Sequence, residues 1–379
     1  MTDTTPGPSP TEDRRWMRVA IAEARRAEGR TAPNPPVGCA IVSAEGRLLA
    51  SGHTAASGRP HAETRALAMA GEAARGATAY VTLEPCAHHG ETGPCADALV
   101  EAGIARVVVA LRDPDERVNG RGIERLAEHG VALRIGVEAE AARRVMAGFL
   151  SRTTRSRPFV TLKTATSLDG MIALADGAKR WITGQRMRDY VHLQRSRSEG
   201  LLSAVGTVLA DDPEFTCRLP GLAADSPHRF VLDGSLRTPL TAQLFRSADT
   251  AGLTFFCRDS AAADTMAAFR AAGANVRPVA VDTGGRLSLA AVMRSIAELG
   301  IGSLMVEAGG QLAASLLREA LVDRILWTCG GHLIGADGIP SISNLALTAL
   351  PSDASFRVVA EGVFGPDRVL MLERPQEID

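Results

Sequence analysis

The chain has 379 residues, of which 45% are hydrophobic and 22% are charged, and its formal net charge is −1 at pH 7. This composition is typical of a folded globular protein with two domains, although one or three also fit the length, and it argues against a disordered or fibrous chain. A net charge near zero exerts no sustained attraction on a polyanion, so we expect no nucleic-acid partner.

The N-terminal segment MTDTTPGPSPTED has neither the basic start nor the apolar run of a secretory signal. The longest apolar runs elsewhere, such as residues 107–111, are too short to span a bilayer. We therefore expect a cytoplasmic protein with no membrane association and a flexible tail over residues 1–12. The six cysteines are scattered and do not suggest a disulfide framework.

The first part of the chain alternates helical and strand patterns after the tail. A helical periodicity starts at residue 12 and ends before Gly29, and the turn-rich segment TAPNPPVG follows it. We then expect strands at 39–42, 47–51, 78–83, 106–110 and 131–135, and helices at 62–74, 96–102 and 122–128. Strands that alternate with helices indicate an α/β layer with helices packed on a sheet.

The polar, basic segment SRTTRSRP at 151–158 predicts a linker. It divides the chain into expected domains at 13–152 and 157–379. In the second domain we expect strands at 159–164, 200–205, 228–232, 253–257, 303–307 and 324–328, and helices at 185–197, 261–271, 289–299 and 311–319. This half is also α/β and shows no repeat of the first half at a fixed period.

Residue types that bind metals lie close together in the first half. His61, Cys86 and Cys95 provide one imidazole and two thiolates, and three protein ligands leave a tetrahedral zinc ion one position for water. Glu63, two residues after the histidine, is placed to move protons without being a ligand. A fully ligated structural zinc, or buried residues without metal, is the alternative, but a structural zinc would need a fourth ligand.

The spacing of these residues partly matches a known deaminase signature. H-x-E followed by P-C is the pattern of zinc deaminases that act on cytosine and adenine, and its second half is C-x-x-C. Here eight residues separate the two cysteines in CAHHGETGPC. His88 and His89 lie in this loop and are not needed to complete a three-ligand site.

Three segments in order, TAPNPPVGCAIV, GHTAASGRPHAET and TLEPCAHHGETGPCADAL, resemble the deaminase half of the bifunctional riboflavin-biosynthesis deaminase-reductases. The resemblance covers about residues 13–150 and implies a cytidine-deaminase-like α/β/α domain. It assigns the Zn²⁺ ligands His61, Cys86 and Cys95, the proton shuttle Glu63, and substrate contacts at Asn34 and His53.

Two positions of this half depart from the family pattern. Glu91 stands where the family loop has a basic residue, and Gly93 stands where it has a proline. The loop is expected near the phosphorylated sugar of the substrate. The change either alters phosphate recognition or leaves the positive charge to another residue, such as an arginine.

The second half contains a weaker nucleotide-binding pattern. VEAGGQLAASLL predicts a strand, a glycine pair and a helix, so backbone N–H groups at Gly309, Gly310 and Gln311 face outward at a helix N-terminus. There is no G-x-G-x-x-G, which argues against an ordinary Rossmann site. By themselves these residues leave both nucleotide binding and a plain structural turn open, and AVGTVLADDP is equally compatible with a turn.

Six further motifs resemble the reductase half of the same family, whose domain is similar to dihydrofolate reductase. In order they are TLKTATSLDG, KRWITG, AVGTVLADDPEFTCR, VLDGS, VEAGG and HLIGADG, over about residues 157–372. The resemblance implies an α/β domain with an NADPH site lined by Ala165, Trp181, Thr207, Asp211, Gly309, Gly310, Gln311, Leu312, Ala313, Ala314 and Ser315. It implies substrate contacts at Lys163, Lys179, Arg195, Phe215, Arg218 and Glu307, with the two arginines suited to a phosphate.

This half also departs from the family at three positions. Met171 replaces a polar or basic residue, and Gly331 and His332 replace a proline-lysine pair. A purely structural turn at Asp169 and Gly170, and a core position for Trp181, remain open as alternatives to functional roles.

The implied activity is a two-step conversion of a small phosphorylated pyrimidine. Zinc-dependent hydrolysis removes an amino group from 2,5-diamino-6-(5-phosphoribosylamino)pyrimidin-4-one, and NADPH-dependent reduction converts the ribosyl group to ribityl, giving 5-amino-6-(5-phosphoribitylamino)uracil. The family makes a homo-oligomer, a dimer or a tetramer, plausible. The competing hypotheses are a deaminase of nucleic acids or free nucleosides, and a working deaminase with a non-catalytic nucleotide-binding or oligomerisation module.

Lysine is rare in this chain. Of 42 basic residues only Lys163 and Lys179 are lysine, and both fall in motifs of the reductase half. A lysine in an arginine-rich chain indicates a place for a compact ammonium rather than a planar guanidinium, although two residues are also compatible with chance. Our hypothesis is that Lys163 polarises the opened sugar.

Overall fold

The computed structural model describes residues 9–87, 93–115, 119–176, 181–349 and 355–375. The chain divides into two units, Met1–Ser156 and Arg157–Asp379. Within the described ranges, no helix combines the length and the apolar character needed to cross a membrane.

The first unit contains a five-stranded sheet with helices. Its elements are α1 (Pro10–Ala27), β1 (Gly38–Val42), β2 (Leu48–His53), α2 (Ala62–Ala70), β3 (Thr78–Leu83), α3 (Cys95–Glu101), β4 (Arg106–Leu111), α4 (Arg121–Glu128), β5 (Ala132–Ile135), α5 (Ala139–Val145) and α6 (Ala147–Arg155). The strand order is β2-β1-β3-β4-β5. β1 is antiparallel to β2 and β3, whereas β3, β4 and β5 are parallel.

The predicted tail is wrong for its last residues, because α1 begins at Pro10. Glu12 donates its backbone N–H to the Ser9 hydroxyl over 3.3 Å, and Ser9 donates its own N–H to the Glu12 carboxylate over 2.8 Å. This reciprocal capping satisfies two backbone donors at the helix start, and a proline at the first helical position is already set for the helical φ. Residues 1–8 lie outside the described part of the chain.

The predicted linker at 151–158 is also wrong over residues 151–155, because α6 continues to Arg155, and the division between the two units falls after Ser156. Its polar composition concealed a helix that buries Ser151 and carries Arg152 and Arg155 in the last turn, where positive charge suits the helix dipole. Ser156 then adopts a left-handed conformation with φ 51° and ends the helix.

The core of the first unit is formed by strands β1, β3 and β4 against α1. A Cβ at Gly38 would collide with the backbone of Ala20, so glycine permits this close approach of α1 to β1. Asp13 on α1 is buried and accepts hydrogen bonds from the Tyr80 hydroxyl (2.9 Å), from both arms of Arg106 (2.8 and 2.7 Å) and from Arg134 (2.6 Å). Burial opposes its charge, but the bonds from Arg106 and Tyr80 outweigh burial and lower the pKa of Asp13.

The second unit contains a larger sheet. Its elements are β6 (Phe159–Thr166), β7 (Met171–Ala173), α7 (Gln185–Ser196), β8 (Gly200–Ala204), α8 (Val205–Asp211), β9 (His228–Leu232), β10 (Leu253–Arg258), α9 (Ala263–Ala271), β11 (Asn275–Val279), α10 (Leu289–Glu298), β12 (Ser303–Glu307), α11 (Gly310–Arg318), β13 (Arg324–Cys329), β14 (Ile339–Pro340), β15 (Arg357–Phe364) and β16 (Asp367–Glu373). The strand order of the main sheet is β11-β10-β9-β8-β12-β6-β13-β16-β15, and β7 pairs with β14 separately.

The strands from β11 to β13 in this order are parallel, and β16 runs antiparallel to β13 and β15. The carboxyl ends of the parallel strands therefore meet at one edge of the sheet, where open α/β sheets bind their ligands. Both halves are α/β, as predicted from the sequence. The segment AVGTVLADDP, which the sequence left open as a turn, forms α8 after β8.

Candidate active sites

Three elements of the first unit bring the metal-binding residues together. His61 is the residue before α2, Cys86 follows β3, and Cys95 is the first residue of α3. Their ligand atoms all lie within 4.8 Å of one another. The Nδ1 atom of His61 lies 3.2 Å from the Cys95 sulfur and 3.7 Å from the Cys86 sulfur.

The donor set and its spacing fit zinc. Bond lengths of about 2.0 Å to nitrogen and about 2.3 Å to sulfur at a tetrahedral ion place these atoms about 3.6 Å apart, close to the distances from His61 to the two sulfurs. The Cys95 backbone N–H donates to the Cys86 sulfur over 3.3 Å, and the Ala96 N–H donates to the Cys86 carbonyl over 3.2 Å. These two hydrogen bonds therefore fix Cys86 next to Cys95 at the start of α3.

The pKa values of acidic groups at this cluster are shifted from their usual values. Burial raises the pKa of Glu63, in the first turn of α2, to about 7. A carboxyl group with that pKa exchanges protons readily near neutral pH. Hydrogen bonds from the Cys95 thiol and from His61, against opposing burial, lower the pKa of Cys86 to about 4, whereas the hydrogen bond to Cys86 and burial raise the pKa of Cys95, so the two cysteines share one proton that a metal must displace.

The structure places the two predicted substrate contacts of this unit on the segment between α1 and β1 and at the end of β2. Asn34 is half-buried, and its side chain fills the space next to Gly58 so completely that a Cβ there would collide with it. Asn34 thus lies against the segment that leads into His61. His53, the last residue of β2, has its Nδ1 atom 2.8 Å from the carboxylate of Glu23, so one edge of its ring is committed to α1. Glu91 lies outside the described residues.

One residue of this site was missed by the sequence analysis. Glu84, two residues before Cys86, is buried, and its carboxylate accepts hydrogen bonds from four backbone N–H groups: Asp113 (3.2 Å), Gly120 (3.1 Å), Gly122 (3.0 Å) and Ile123 (3.3 Å). It therefore joins the Cys86 segment to the N-terminus of α4, where a negative charge is favourable. The sequence signal available for Glu84 was an acidic residue in the motif TLEPC, directly after an apolar strand segment.

In the second unit, charged side chains gather where β6 and β12 end. Lys163 and Glu307 are partners in the parallel register, and the Lys163 Nζ lies 3.5 Å from a Glu307 carboxylate oxygen. Arg195 on α7 donates to both oxygens of Glu307 over 2.6 and 3.0 Å. Burial raises the pKa of Glu307, but the charges of Arg195 and Lys163 outweigh burial and lower that pKa to about 2.

The predicted substrate contacts Phe215 and Arg218 lie on a segment next to this cluster. Arg195 donates to the Thr216 carbonyl over 3.0 Å, and its guanidinium lies 5.9 Å from the centre of the Phe215 ring. Arg218 donates its backbone N–H to Nδ1 of His192 over 3.3 Å. Burial and the charges of Arg195 and Arg218 lower the pKa of His192 to about 4, so this nitrogen is an acceptor at neutral pH. The sequence analysis did not identify His192.

The predicted cofactor residues lie along the same edge of the sheet. Ala165 is two residues after Lys163 on β6, so both side chains lie on the same face of the sheet. Thr207 and Asp211 belong to α8, which follows β8. Gly309 precedes α11, and a Cβ at Gly309 would meet no atom within 4 Å, so the backbone there faces open space. The side chains of Leu312, Ala313 and Ala314 pack in the core. The groups of α11 that remain for a cofactor next to Gly309 are the backbone of Gly310 and Gln311 and the side chain of Ser315.

The remaining predicted positions have different environments. Trp181 is 75% exposed and carries the Arg188 guanidinium 4.5 Å from its ring centre, so the core alternative for this residue is wrong. Asp169 and Gly170 form a turn in which the Asp169 carboxylate accepts the N–H groups of Ile334 (3.2 Å) and Gly335 (2.6 Å). This turn joins the start of β7 at Met171 to the loop that contains His332. Lys179 lies outside the described residues.

Comparison with known proteins covers both units. The family model for the RibD C-terminal domain matches residues 158–364, and the model for the cytidine and deoxycytidylate deaminase zinc-binding region matches residues 10–111. The chain is 38% identical over 376 residues to riboflavin biosynthesis protein RibD of Escherichia coli, covering 95% of this chain and 99% of that protein. It is 35% identical over 362 residues to the protein of the same name from Aquifex aeolicus, covering 96% and 98%.

Solved structures give the same result. The chain matches RibD of Acinetobacter baumannii with a TM-score of 0.86 and 33% identity, covering 97% of this chain and 100% of that chain. It matches a diaminohydroxyphosphoribosylaminopyrimidine deaminase/5-amino-6-(5-phosphoribosylamino)uracil reductase from Thermotoga maritima with a TM-score of 0.84 and 31% identity, covering 97% and 99%.

Proposed function

Because the chain belongs to the RibD family of bifunctional deaminase-reductases of riboflavin biosynthesis, we propose roles in its two activities for the residues placed above. The substrate of the first step is 2,5-diamino-6-(5-phosphoribosylamino)pyrimidin-4-one. Water replaces the amino group at C2 of the ring, and ammonia leaves. The product is then reduced at C1′ of the ribosyl group.

His61, Cys86 and Cys95 hold Zn²⁺ in the deaminase unit. When bound, zinc lowers the pKa of a water molecule to near neutrality. Glu63 takes a proton from the attacking water and delivers it to the leaving amino group, a task suited to a pKa of about 7. Asn34 contacts the pyrimidine, and His53, oriented by Glu23, is a further substrate contact.

The convergence of three metal-binding side chains beside a buried carboxyl group carries this assignment. We expect Glu63→Gln to keep stoichiometric zinc and to release ammonia about 10²- to 10⁴-fold more slowly, because it removes the proton carrier and spares the ligands. Elemental analysis and an ammonia assay measure the two quantities. Unchanged NADPH oxidation with the deaminated intermediate is the internal control, and loss of zinc would show that Glu63 is a ligand.

The reductase unit uses the cluster at the ends of β6 and β12. When bound, NADPH supplies the hydride. Lys163 polarises the sugar as it opens, Glu307 orients Lys163, and the backbone at Gly309–Gln311 with Ala165, Trp181, Thr207 and Asp211 lines the cofactor site. Lys179 remains a substrate contact expected from the sequence.

The geometry divides the work of the two arginines. Arg195 is committed to Glu307 and to the Thr216 carbonyl, which makes it an orienting residue of this cluster. The Arg218 side chain is 51% exposed and lies 3.7 Å from Glu214, so it has room to turn toward a ligand. We therefore assign the phosphate of the substrate to Arg218.

Two further expectations concern the whole protein. We propose a cytoplasmic homo-oligomer, a dimer or a tetramer, that takes a small phosphorylated pyrimidine and no nucleic acid. Fractionation of cells and light scattering of the purified protein test these expectations, and a monomer at working concentration would contradict the second.

A further inference from the structure

The largest fully buried side chain among the described residues belongs to the second unit and is charged. Arg229 on β9 has 0% exposure. Its Nε donates to the carbonyls of Ala251 (3.2 Å) and Gly252 (3.3 Å), and its Nη2 donates to the Ser247 carbonyl over 2.8 Å. Its Nη1 donates to the Leu244 carbonyl (2.9 Å), the Ser247 hydroxyl (2.9 Å) and the Glu214 carbonyl (3.2 Å).

These acceptors belong to separate stretches of backbone. Residues 244–252 form the connection between β9 and β10, whereas Glu214 lies after α8. A cavity of about 400 Å³ opens between the two stretches, with Thr216, Cys217 and Arg218 on one wall and Ser247, Thr250 and Ala251 on the other. Arg229 thus holds the 244–252 stretch, which contributes Ser247 and Ala251 to one wall, and the Glu214 carbonyl, two residues before Thr216 of the other wall.

The segment from Glu214 to Arg218 needs such support. Phe215 is a buried residue with φ 58°, a left-handed conformation that a bulky side chain adopts only when its surroundings impose it. Arg229 fixes the carbonyl before it, and Arg195 fixes the Thr216 carbonyl after it. The strained residue is therefore clamped between two buried guanidinium groups.

We infer that Arg229 is a positioning residue of the reductase, which presents Phe215 and Arg218 to the substrate by holding the Glu214 carbonyl. The inference rests on the proposed function, in which these two residues contact the substrate. It needs arginine in particular, because a guanidinium has five N–H donors in a planar fork and spans both walls, whereas an ammonium has three donors at one point.

Arg229→Lys tests this role, because it keeps the charge and removes the reach to both walls. We expect the KM for the deaminated intermediate to rise at least about tenfold, since the Glu214 carbonyl loses a charged donor. The Kd for NADPH and the zinc-dependent deamination in the other unit are expected to change less than about twofold, because neither depends on the Glu214–Arg218 segment. Hydrogen exchange at the Arg218 N–H is expected to speed up. An unchanged KM in the folded variant overturns the inference, as does an equal loss of NADPH affinity.

A matched variant separates positioning from general loss of stability. Ile296→Ala removes buried apolar volume from a different part of the same unit. Ile296 lies on α10, in the cluster that contains Val160 and Leu304, whereas Phe215 and Leu244 belong to another cluster. We expect a lower melting temperature with an unchanged KM. If Ile296→Ala raises the KM as much as Arg229→Lys at an equal loss of melting temperature, the inference is wrong.

Two further variants make every result decisive. Arg229→Gln is used if Arg229→Lys does not fold, because its shorter, neutral amide cannot reach both stretches; faster exchange at the Arg218 N–H with a raised KM supports the role, and no change overturns it. Arg218→Ala tests the proposed function separately. If Arg218→Ala raises the KM and Arg229→Lys does not, the inference fails alone, and if Arg218→Ala leaves the KM unchanged, the phosphate assignment fails.

Discussion

At position 163 the structure favours a lysine over an arginine. Its ammonium lies 3.5 Å from a carboxylate oxygen of Glu307 on the neighbouring strand. Both oxygens of Glu307 already accept a bond from Arg195. A compact charge fits the remaining space, and a second planar guanidinium would compete for the same oxygens.

We therefore expect Lys163→Arg to slow the reduction by at least about tenfold, because the new guanidinium displaces Arg195 from Glu307 and cannot place its charge at the sugar. NADPH oxidation with the deaminated intermediate measures the effect, and ammonia release from the first substrate should not change. Full reductase activity in this variant would remove the special role of lysine. Lys179→Arg, outside the described residues, is expected to impair reduction in the same way.

At the level of elements, the start of α4 depends on one side chain from another segment. The start of α4 has buried backbone N–H groups at Gly120, Gly122 and Ile123, and the N-cap Gly120 provides no side-chain cap for them. Glu84 supplies the acceptors instead. Pro85 packs against Gly122 so closely that a Cβ there would collide with its carbonyl. The bonds of Glu84 and the packing of Pro85 thus also fix the position of the segment that carries Cys86.

Glu84→Gln should destabilise the first unit by about 1–3 kcal/mol, because an amide NH₂ group then faces buried N–H donors and an unsatisfied pair remains. We expect faster hydrogen exchange at Gly122 and Ile123 and weaker zinc retention against a chelator. Ser9→Ala is a matched control, since it weakens the cap of α1 by a similar amount, about 1 kcal/mol, and should leave zinc retention unchanged. Equal zinc retention in both variants would contradict a link between Glu84 and the metal site.

At the level of the whole molecule, two histidines of the second unit make the free energy of unfolding depend on pH. In the second unit, burial, together with nearby arginine charges, lowers the pKa of both His192 and His228 to about 4. The usual histidine pKa is 6.5, so between pH 6.5 and 4 the unfolded chain binds protons that the folded chain does not.

The unfolding free energy should consequently be complete above pH 6.5 and should fall as the pH drops toward 4. Urea denaturation of the protein at several pH values measures this slope. His228→Gln keeps a polar partner for Thr254, whose hydroxyl lies 2.8 Å from the histidine Nε2, and removes one titrating group, so its slope should be smaller. A slope identical to that of the unchanged protein would show that His228 does not contribute.

Metal removal is expected to affect one activity only. The metal-binding side chains all belong to the first unit, and the Lys163–Glu307–Arg195 cluster belongs to the second. A chelator should abolish ammonia release, because the ligands lose the ion that activates water, and should leave NADPH oxidation with the deaminated intermediate intact. Added Zn²⁺ should restore deamination. Parallel loss of both activities would argue against independent sites.

The sequence predicted most elements because their signals are local. The strand at 78–83 and the helix at 185–197 were found within one residue, since alternation and helical periodicity are properties of short stretches. The strands β15 and β16 were missed, because β15 alternates weakly and half of it is exposed at the sheet edge. Polar composition hid α6 for a related reason, since a surface helix can be polar on most of its turns.

The amino-acid sequence by itself determined the α/β class and the family and predicted His61, Cys86 and Cys95 as a metal-binding set with Glu63 beside it, because each depends on residue type and order along the chain. The tertiary structure alone decided that Arg195 is committed to Glu307, that His192 receives the Arg218 N–H, and that Glu84 and Arg229 hold distant backbone. These bonds join residues far apart in the sequence. Their strength comes from burial, which leaves a charged group no acceptor or donor except the protein around it, and burial is a property of the packed fold.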